Sequence, residues 1–434
     1  MRVGYFSTLR LVHLSDLHLG FRQFQRQTPA GINQREADVA QAFARAVDKL
    51  IALKPDVILI GGDVFHTVRP TNTAILHAFR QFSRLVESLP ESHIVVVAGN
   101  HDMPRSTETI CILRLFEQGF SARGDARTDG GGADDAVTGA GGEAIALPAL
   151  PIYVADREAR RINFPHLDLS VLAVPDLPPG TVELAPDPGA RYNVLLMHGE
   201  VKGALPAADD SDRAAMQIPV EDLTRTGWDY VALGHYHVYK RIADHVYYSG
   251  SLEYTSSNPW GELAEEKATK LPGKGMIERD LATGKQTFHP LPPSRAVLDL
   301  PPIEGRGMSA ADLDAAIQHA VARIPGGLDG KVVRLLTRNV PRHIARELDH
   351  KALRELQRKA LHFHLDMRRP EMVRRESSGG PGRRPSLAET LRDALRARPV
   401  VSGVERDELV ALGLRYLEEA ELSEPAREFP GADA

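Results

Sequence analysis

The sequence lacks most of what would place it outside the cell or in a membrane. It holds one cysteine, Cys111. That excludes an intrachain disulfide and fits a reducing cytoplasm. Within "TICILRLF" the thiol reads as a core residue, not a nucleophile. No apolar run reaches the roughly 18 residues of a membrane-spanning helix. The N-terminus "MRVGYFSTLRLVHLSD" lacks the apolar core and small-residue cleavage site of a signal peptide. The expectation is a cytoplasmic protein with no membrane contact. A net charge of −5 excludes an overall basic coat but leaves local patches open. No internal repeat is evident.

What is present is an ordinary globular composition, 434 residues with 42% hydrophobic and 26% charged, long enough for two or three domains. Over residues 9–291, short apolar runs alternate with amphipathic stretches. "LRLVHLSD", "DVILIGGD", "HIVVVAGN", "LSVLAVPD", "YNVLLMHG" and "YVALGHYH" each read as a buried strand. "READVAQAFARAVDKLIAL" and "TNTAILHAFRQFSRLVESL" carry helical spacing. The fold class expected is α/β and layered. Residues 121–143, Gly/Ala/Asp-rich, read as a flexible insertion. Residues 292–370 predict a small α+β domain whose first helix is capped by Ser309 with Asp312. Residues 371–385 read as a linker. Residues 386–425 predict two short helices, with Ser386–Glu389 and Ser402–Glu405 as caps. Charge separates these pieces. Residues 331–385 hold 15 Lys/Arg against 6 Asp/Glu, whereas residues 386–434 hold 6 against 11. The basic stretch is either a solvated face or a surface for phosphates.

The chemistry gathers where the apolar runs stop. Asp16 and His18, Asp63 and His66, Asn100 and His101, His198, and finally His235 and His237 each follow such a run. In open α/β sheets ligands collect at the carboxyl ends of strands. Glycines at 61, 62, 99 and 234 permit sharp turns and close approach there. A lone buried histidine is usually a hydrogen-bonded core residue. Carboxylates and imidazoles on several strand ends are costly to bury unless a cation pairs with them. Imidazole, carboxylate and amide oxygen suit divalent manganese, zinc or iron. In an extended segment His235 and His237 face one side, and the simplest arrangement gives one to each of two adjacent ions. Asp16 and His18 share that spacing. Asp102 is a candidate for fixing His101, or else a turn or helix cap before Pro104.

The ordered blocks D-x-H, G-D, G-N-H-D, H and G-H-x-H resemble the calcineurin-like metallophosphoesterase superfamily. "GDVFH" and "YYSGSLEYTSSNPWGE" resemble its SbcD-type DNA double-strand-break-repair nucleases. The 121–143 insertion and the extended basic region depart from that pattern. The resemblance implies a layered β-sandwich core flanked by helices, a small α+β capping domain and C-terminal helices. It implies two divalent metal ions, usually Mn2+. Asp16, His18 and His237 would hold one, Asn100, His198 and His235 the other, and Asp63 would bridge them. His101 would face the scissile phosphate and His66 the substrate side. The implied activity is 3′-to-5′ exonuclease on duplex ends and endonuclease on single strands and hairpins, in DNA repair and recombination at the nucleoid. The implied partners are DNA, an SbcC-type coiled-coil ATPase bound through the terminal helices, and a second copy of the chain. Leu387, Leu391 and Leu395, and Leu409, Leu412 and Leu417, are the apolar faces offered to the ATPase. "ILHAFRQFSRLV" and "TICILRLF" are offered to the homodimer. "GDVFH", the second domain and the local Lys/Arg excess favour DNA over phosphoproteins or small phosphodiesters. The intact ligand set disfavours a non-catalytic DNA-binding scaffold.

Overall fold

Every apolar run singled out in the sequence lies in a sheet. In chain order the strands are β1 (Arg10–Leu14), β2 (Val57–Ile60), β3 (His93–Val97), β4 (Ile152–Ala155), β5 (Arg160–Phe164), β6 (Leu169–Val174), β7 (Tyr192–His198), β8 (Glu200–Val201), β9 (Gln217–Ile218), β10 (Tyr230–Gly234), β11 (Lys240–Ala243), β12 (Val246–Tyr248), β13 (Gly275–Asp280), β14 (Gln286–Pro290), β15 (Val297–Glu304), β16 (Val332–Arg338) and β17 (His362–Met367). The helices are α1 (Gln34–Leu53), α2 (Asn72–Ser88), α3 (Arg114–Gly119), α4 (Val220–Thr224), α5 (Pro259–Thr269), α6 (Ala310–Ala322), α7 (Arg342–Glu347), α8 (His350–Lys359), α9 (Leu387–Ala397) and α10 (Arg406–Ser423). This computed structural model describes residues 8–104, 106, 109–119, 152–203, 214–225, 227–370, 386–398 and 405–423. The 121–143 insertion, the 371–385 linker and the Ser402 cap lie outside the described residues.

Two six-stranded sheets, ordered β14-β13-β1-β2-β3-β4 and β11-β12-β10-β7-β6-β5, form a sandwich. Leu11, Leu59 and Val97 of the first sheet meet Val171, Leu196 and Ala232 of the second in a shared core. His13 lies on that inner face, its Nδ1 3.1 Å from the Tyr230 hydroxyl. Alternate residues of the first sheet, Val12, Ile58, Ile60 and Val96, pack outward against α1 and α2. Period-2 alternation thus supplies two cores from one sheet. Asn33 caps α1 by accepting from the Arg35 and Glu36 amides. Val39, Phe43, Ala46, Val47 and Leu50 form its buried stripe, and Lys54 ends it in the left-handed region before Pro55.

Residues 292–370 build a separate parallel sheet, β15-β16-β17. One face packs Val333, Leu335 and Phe363 under Leu313 and Ile317 of α6 and Leu356 of α8. The Ser309–Asp312 capping box is formed. A further cluster joins Trp260 of α5 and Tyr254 to Val297, Val332 and Leu361, and the described residues up to Pro370 form one compact unit. Beyond it α9 and α10 pack on each other in a unit of their own. The Ser386–Glu389 capping box opens α9. Leu395 presses on Gly413 of α10, where any Cβ would collide with it, and Leu391 lies just beyond. Leu387, Leu412 and Tyr416 remain exposed. The leucine stripe is therefore divided between the helix pair and its outer surface.

Candidate metal centre

The carboxyl ends of β1, β2 and β3 in one sheet and of β7 and β10 in the other meet at one edge of the sandwich, and every residue singled out there either ends one of these strands, as His198 does, or follows one. The loops are tied before any side chain acts. Asp16 N donates to Gly62 O at 3.0 Å and His18 N to Asp63 O at 2.8 Å. A Cβ on Gly99 would fall well inside van der Waals contact distance of Asp63 Oδ1, and one on Gly234 would strike the Gly61 carbonyl. Glycine is needed at both points of contact.

The backbone differs from the expected extended path. Asp16 (φ 54), His18 (φ 45), Asp63 (φ 50) and His235 (φ 104) all have positive φ. Such non-glycine conformations cost about 1–3 kcal/mol each and persist where the surroundings over-determine them. Here the Asp16 carboxylate accepts the His235 amide at 3.0 Å, turning the chain as β10 ends. His235 and His237 therefore converge through a turn; strand alternation is not the reason. Asp16 and His18 do the same.

The side chains form three groups whose donor atoms lie within 4.8 Å of one another: Asp16, His18 and His237; Asp16, Asp63 and His198; and His18, His66 and His101. His18 Nε2 and His237 Nε2 are 2.9 Å apart. Asp63 Oδ2 is 3.7 Å from both His18 Nε2 and His198 Nε2, midway between the two halves. His198 Nε2 is 3.0 Å from Asn100 Oδ1, and the His235 ring centroid is 5.5 Å from that of His198. His198 Nδ1 lies 2.8 Å from the Gly61 carbonyl. A carbonyl only accepts, so Nδ1 carries the proton and Nε2 points its lone pair at the Asn100 and Asp63 oxygens. Acceptors facing one another at this range need a cation between them. Carboxylate, amide oxygen and neutral imidazole are donors suited to a divalent ion, and the cluster fits such ions.

Without a cation these groups settle their charge among themselves. Burial, then the surrounding imidazoles, holds His18 well below the usual histidine range. Burial pushes Asp63 up, against the pull of His198 and His101. Burial disfavours the His198 cation, but Asp63, Asp16 and Asp176 outweigh it and raise its pKa.

His101 Nδ1 is 2.8 Å from the His66 carbonyl, so Nδ1 carries the proton and Nε2 keeps its lone pair. The His66 and His101 rings stack at 5.2 Å. Asp102 lies in the turn that follows β3, one of the roles expected of it, its amide donating to Gly99 O at 3.1 Å. Its buried carboxylate accepts amides from Val64 at 3.1 Å, Phe65 at 2.9 Å and Gly99 at 3.1 Å, binding the β2 and β3 loops together. Burial, with Asp63 nearby, pushes Asp102 up to about 7 despite those donors. Cys111 is core as expected: burial pushes its thiol up to about 12. Glu262 and Lys274 were not singled out in the sequence. Glu262 Oε1 lies 3.8 Å from His237 Nδ1. Burial alone would raise its carboxyl, yet Lys274 and His237 hold it down at about 2. The one signal was the "SSNPWGE" stretch that contains it.

Comparison with known proteins meets this geometry. The chain is 26% identical over 230 residues to the DNA double-strand break repair protein Mre11 of Sulfolobus acidocaldarius, covering 53% of this chain and 50% of that protein. It is 23% identical over 385 residues to Mre11 of Methanosarcina mazei, covering 80% of this chain and 55% of that one. A shorter match, 37% over 97 residues, covers 22% of this chain and 24% of Mre11 of Methanocaldococcus jannaschii. The chain thus spans about half the length or less of these relatives. The calcineurin-like phosphoesterase family model matches residues 9–239, which contain both sheet edges of the cluster, and the chain belongs to that family.

Proposed function

We propose that this protein is a metal-dependent DNA-repair nuclease that hydrolyses phosphodiesters, working on duplex ends 3′-to-5′ and on single strands and hairpins. The observation that carries the reading is the Asp63 carboxylate, equidistant at 3.7 Å from His18 and His198 at the meeting of two donor groups. Asp16, His18 and His237 would hold one cation and Asn100, His198 and His235 the other, with Asp63 shared between them. When bound, two divalent cations, Mn2+ by family resemblance, neutralise the phosphodiester and acidify a water for in-line attack. The protein does the rest. The His66 carbonyl holds the His101 ring through Nδ1–H, and His101 meets the charge or proton demand at the scissile phosphate in its imidazolium form, with Nε2 also protonated. Stacked His66 keeps that ring from rotating and contacts the substrate side.

DNA as substrate is supported by the small sheet. Arg342, Arg346, His350 and Arg369 line one hollow with Val340, Ala345 and Met367, and among the described residues no carboxylate lines it. That suits phosphate contacts without base reading. A second copy is favoured by Leu76 and Phe79 of α2 and by Ile110 and Leu115, all exposed. An SbcC-type ATPase is the partner proposed for exposed Leu387, Leu412 and Tyr416 on α9 and α10. No helix among the described residues is long and apolar enough to cross a membrane.

The test is degradation of end-labelled duplex DNA with Mn2+. His101→Asn is expected to lose on the order of 10²–10⁴-fold in rate with Mn2+ binding retained. Unchanged cutting would remove His101 from the chemistry. Faster turnover of an aryl phosphodiester than of duplex DNA would favour a small-substrate phosphodiesterase instead.

A further inference from the structure

The SSNPWGE stretch and the lysine that follows its helix form a buried polar cluster behind His237. Lys274 is almost fully buried just before β13. Its Nζ donates to the His237 carbonyl at 2.8 Å and to Ser251 Oγ at 3.2 Å. It ion-pairs with Glu262, and with Glu266 at 3.4 Å. Both glutamates are buried on α5. Glu266 is engaged a second time by the Tyr254 hydroxyl at 2.7 Å.

Two carboxylates thus answer one ammonium. Glu266 alone would balance Lys274, and burying a second carboxylate is costly without further compensation. The orientation of Glu262 shows where that compensation lies. Oε2 goes to Lys274, while Oε1 accepts the Ser256 amide at 3.3 Å and points at His237 Nδ1, 3.8 Å away. Thr255 Oγ1, at 3.5 Å, is the other neighbour of that nitrogen. The opposite ring nitrogen, His237 Nε2, is turned to His18 in the donor cluster. A ring that gives its Nε2 lone pair to a cation must carry its proton on Nδ1. That N–H becomes more acidic and needs an acceptor, and a carboxylate is the strongest one available.

We propose that Glu262 is a positioning residue for the metal centre: clamped by Lys274, it orients His237 with Nδ1 protonated and Nε2 facing the ion. Lys274 holds the same residue from the other side through its backbone carbonyl, so ring and main chain are fixed by one cluster. The proposal rests on His237 being a metal ligand, as argued above.

The test uses the full chain and Mn2+ alone, read by titration calorimetry and by 15N-histidine NMR. His237→Asn identifies the His237 signal and the binding event to which it belongs. Glu262→Ala is expected to weaken that event about 10–100-fold, to leave the other event within threefold, and to shift His237 away from the Nδ1–H tautomer. Glu266→Gln, in the same cluster but not directed at His237, is expected to change neither readout. Should Glu262→Ala fail to fold, Glu262→Gln keeps an acceptor facing His237 and leaves Lys274 paired with Glu266. Affinity within threefold of wild type in that variant supports orientation. If the folded Glu262→Ala protein binds Mn2+ like wild type with the tautomer unchanged, or if Glu262→Gln loses as much as His237→Asn, the proposal fails. If His237→Asn itself leaves both events unchanged, the metal-centre reading fails instead.

Discussion

The candidate metal edge of the sandwich and the small sheet β15–β17 both carry charge near strand ends, but they treat it differently. At the edge, charges are buried and answered: Asp63 lies between His18 and His198, Asp102 binds three amides, and Glu262 meets Lys274. On the small sheet Arg334 is paired with Asp299 at 2.6 Å, whereas Arg342, Arg346 and Arg369 gather in an open hollow. Buried charge needs partners and so acquires a fixed geometry, which chemistry requires. Open arginines keep their hydration and mobility, which suits contact with a long polyanion.

The largest effect that sharpens this contrast is expected from Asp102→Ala. It strands the amides of Val64, Phe65 and Gly99, at about 1–3 kcal/mol for each buried donor. The unfolding midpoint in urea should fall steeply, and Mn2+ affinity with it because both ligand loops are released. Both tryptophans, Trp228 and Trp260, lie in the unit that contains the site, so their fluorescence reports it. An unchanged midpoint would show that the loops are held by other means.

A smaller effect is expected on the small sheet. Replacing Arg342, Arg346 and Arg369 together by alanine should leave the urea midpoint in place. It should weaken duplex binding equally across sequences and lower the salt slope by roughly 0.9 for each phosphate that is no longer neutralised. Fluorescence-anisotropy titrations at several salt concentrations measure this. A slope identical to wild type would mean that the hollow does not meet phosphate.

The smallest effect concerns the core between the sheets. Burial pushes His13 down to about 3, so the folded protein refuses a proton that the unfolded chain accepts below about 6.5. The stability of neutral His13 is fully present above that unfolded value. It is lost progressively as pH falls from 6.5 toward 3. Between pH 8 and pH 5 the wild type should lose about 2 kcal/mol that His13→Leu does not, read as convergence of their urea stabilities. Parallel losses in the two proteins would contradict it.

Much of this molecule was legible in the amino-acid sequence. The six strand runs, α1 and α2, and two capping boxes follow from periodicity and local hydrogen bonding, which short segments encode by themselves. The residues proposed for the site stood out because polar groups that stop an apolar run are conspicuous. Less visible was how they converge. The left-handed conformations at Asp16, His18, Asp63 and His235 are imposed by cross-loop bonds such as His235 N to Asp16. The reach of Asp102 beyond its own turn was not legible, because two of its three amide partners, Val64 and Phe65, lie in another loop and no sequence pattern marks a backbone amide.

The sequence by itself determined the alternation that makes strands, the caps that start helices and the side-chain types at the site, since these depend on neighbours along the chain. Tertiary structure alone decided which nitrogen of His198 and His101 keeps its lone pair, which carboxylate stands between two donor groups, and that Lys274 and Glu262 sit behind His237. Those outcomes depend on partners far apart in the chain, brought together only when two sheets close over a common core.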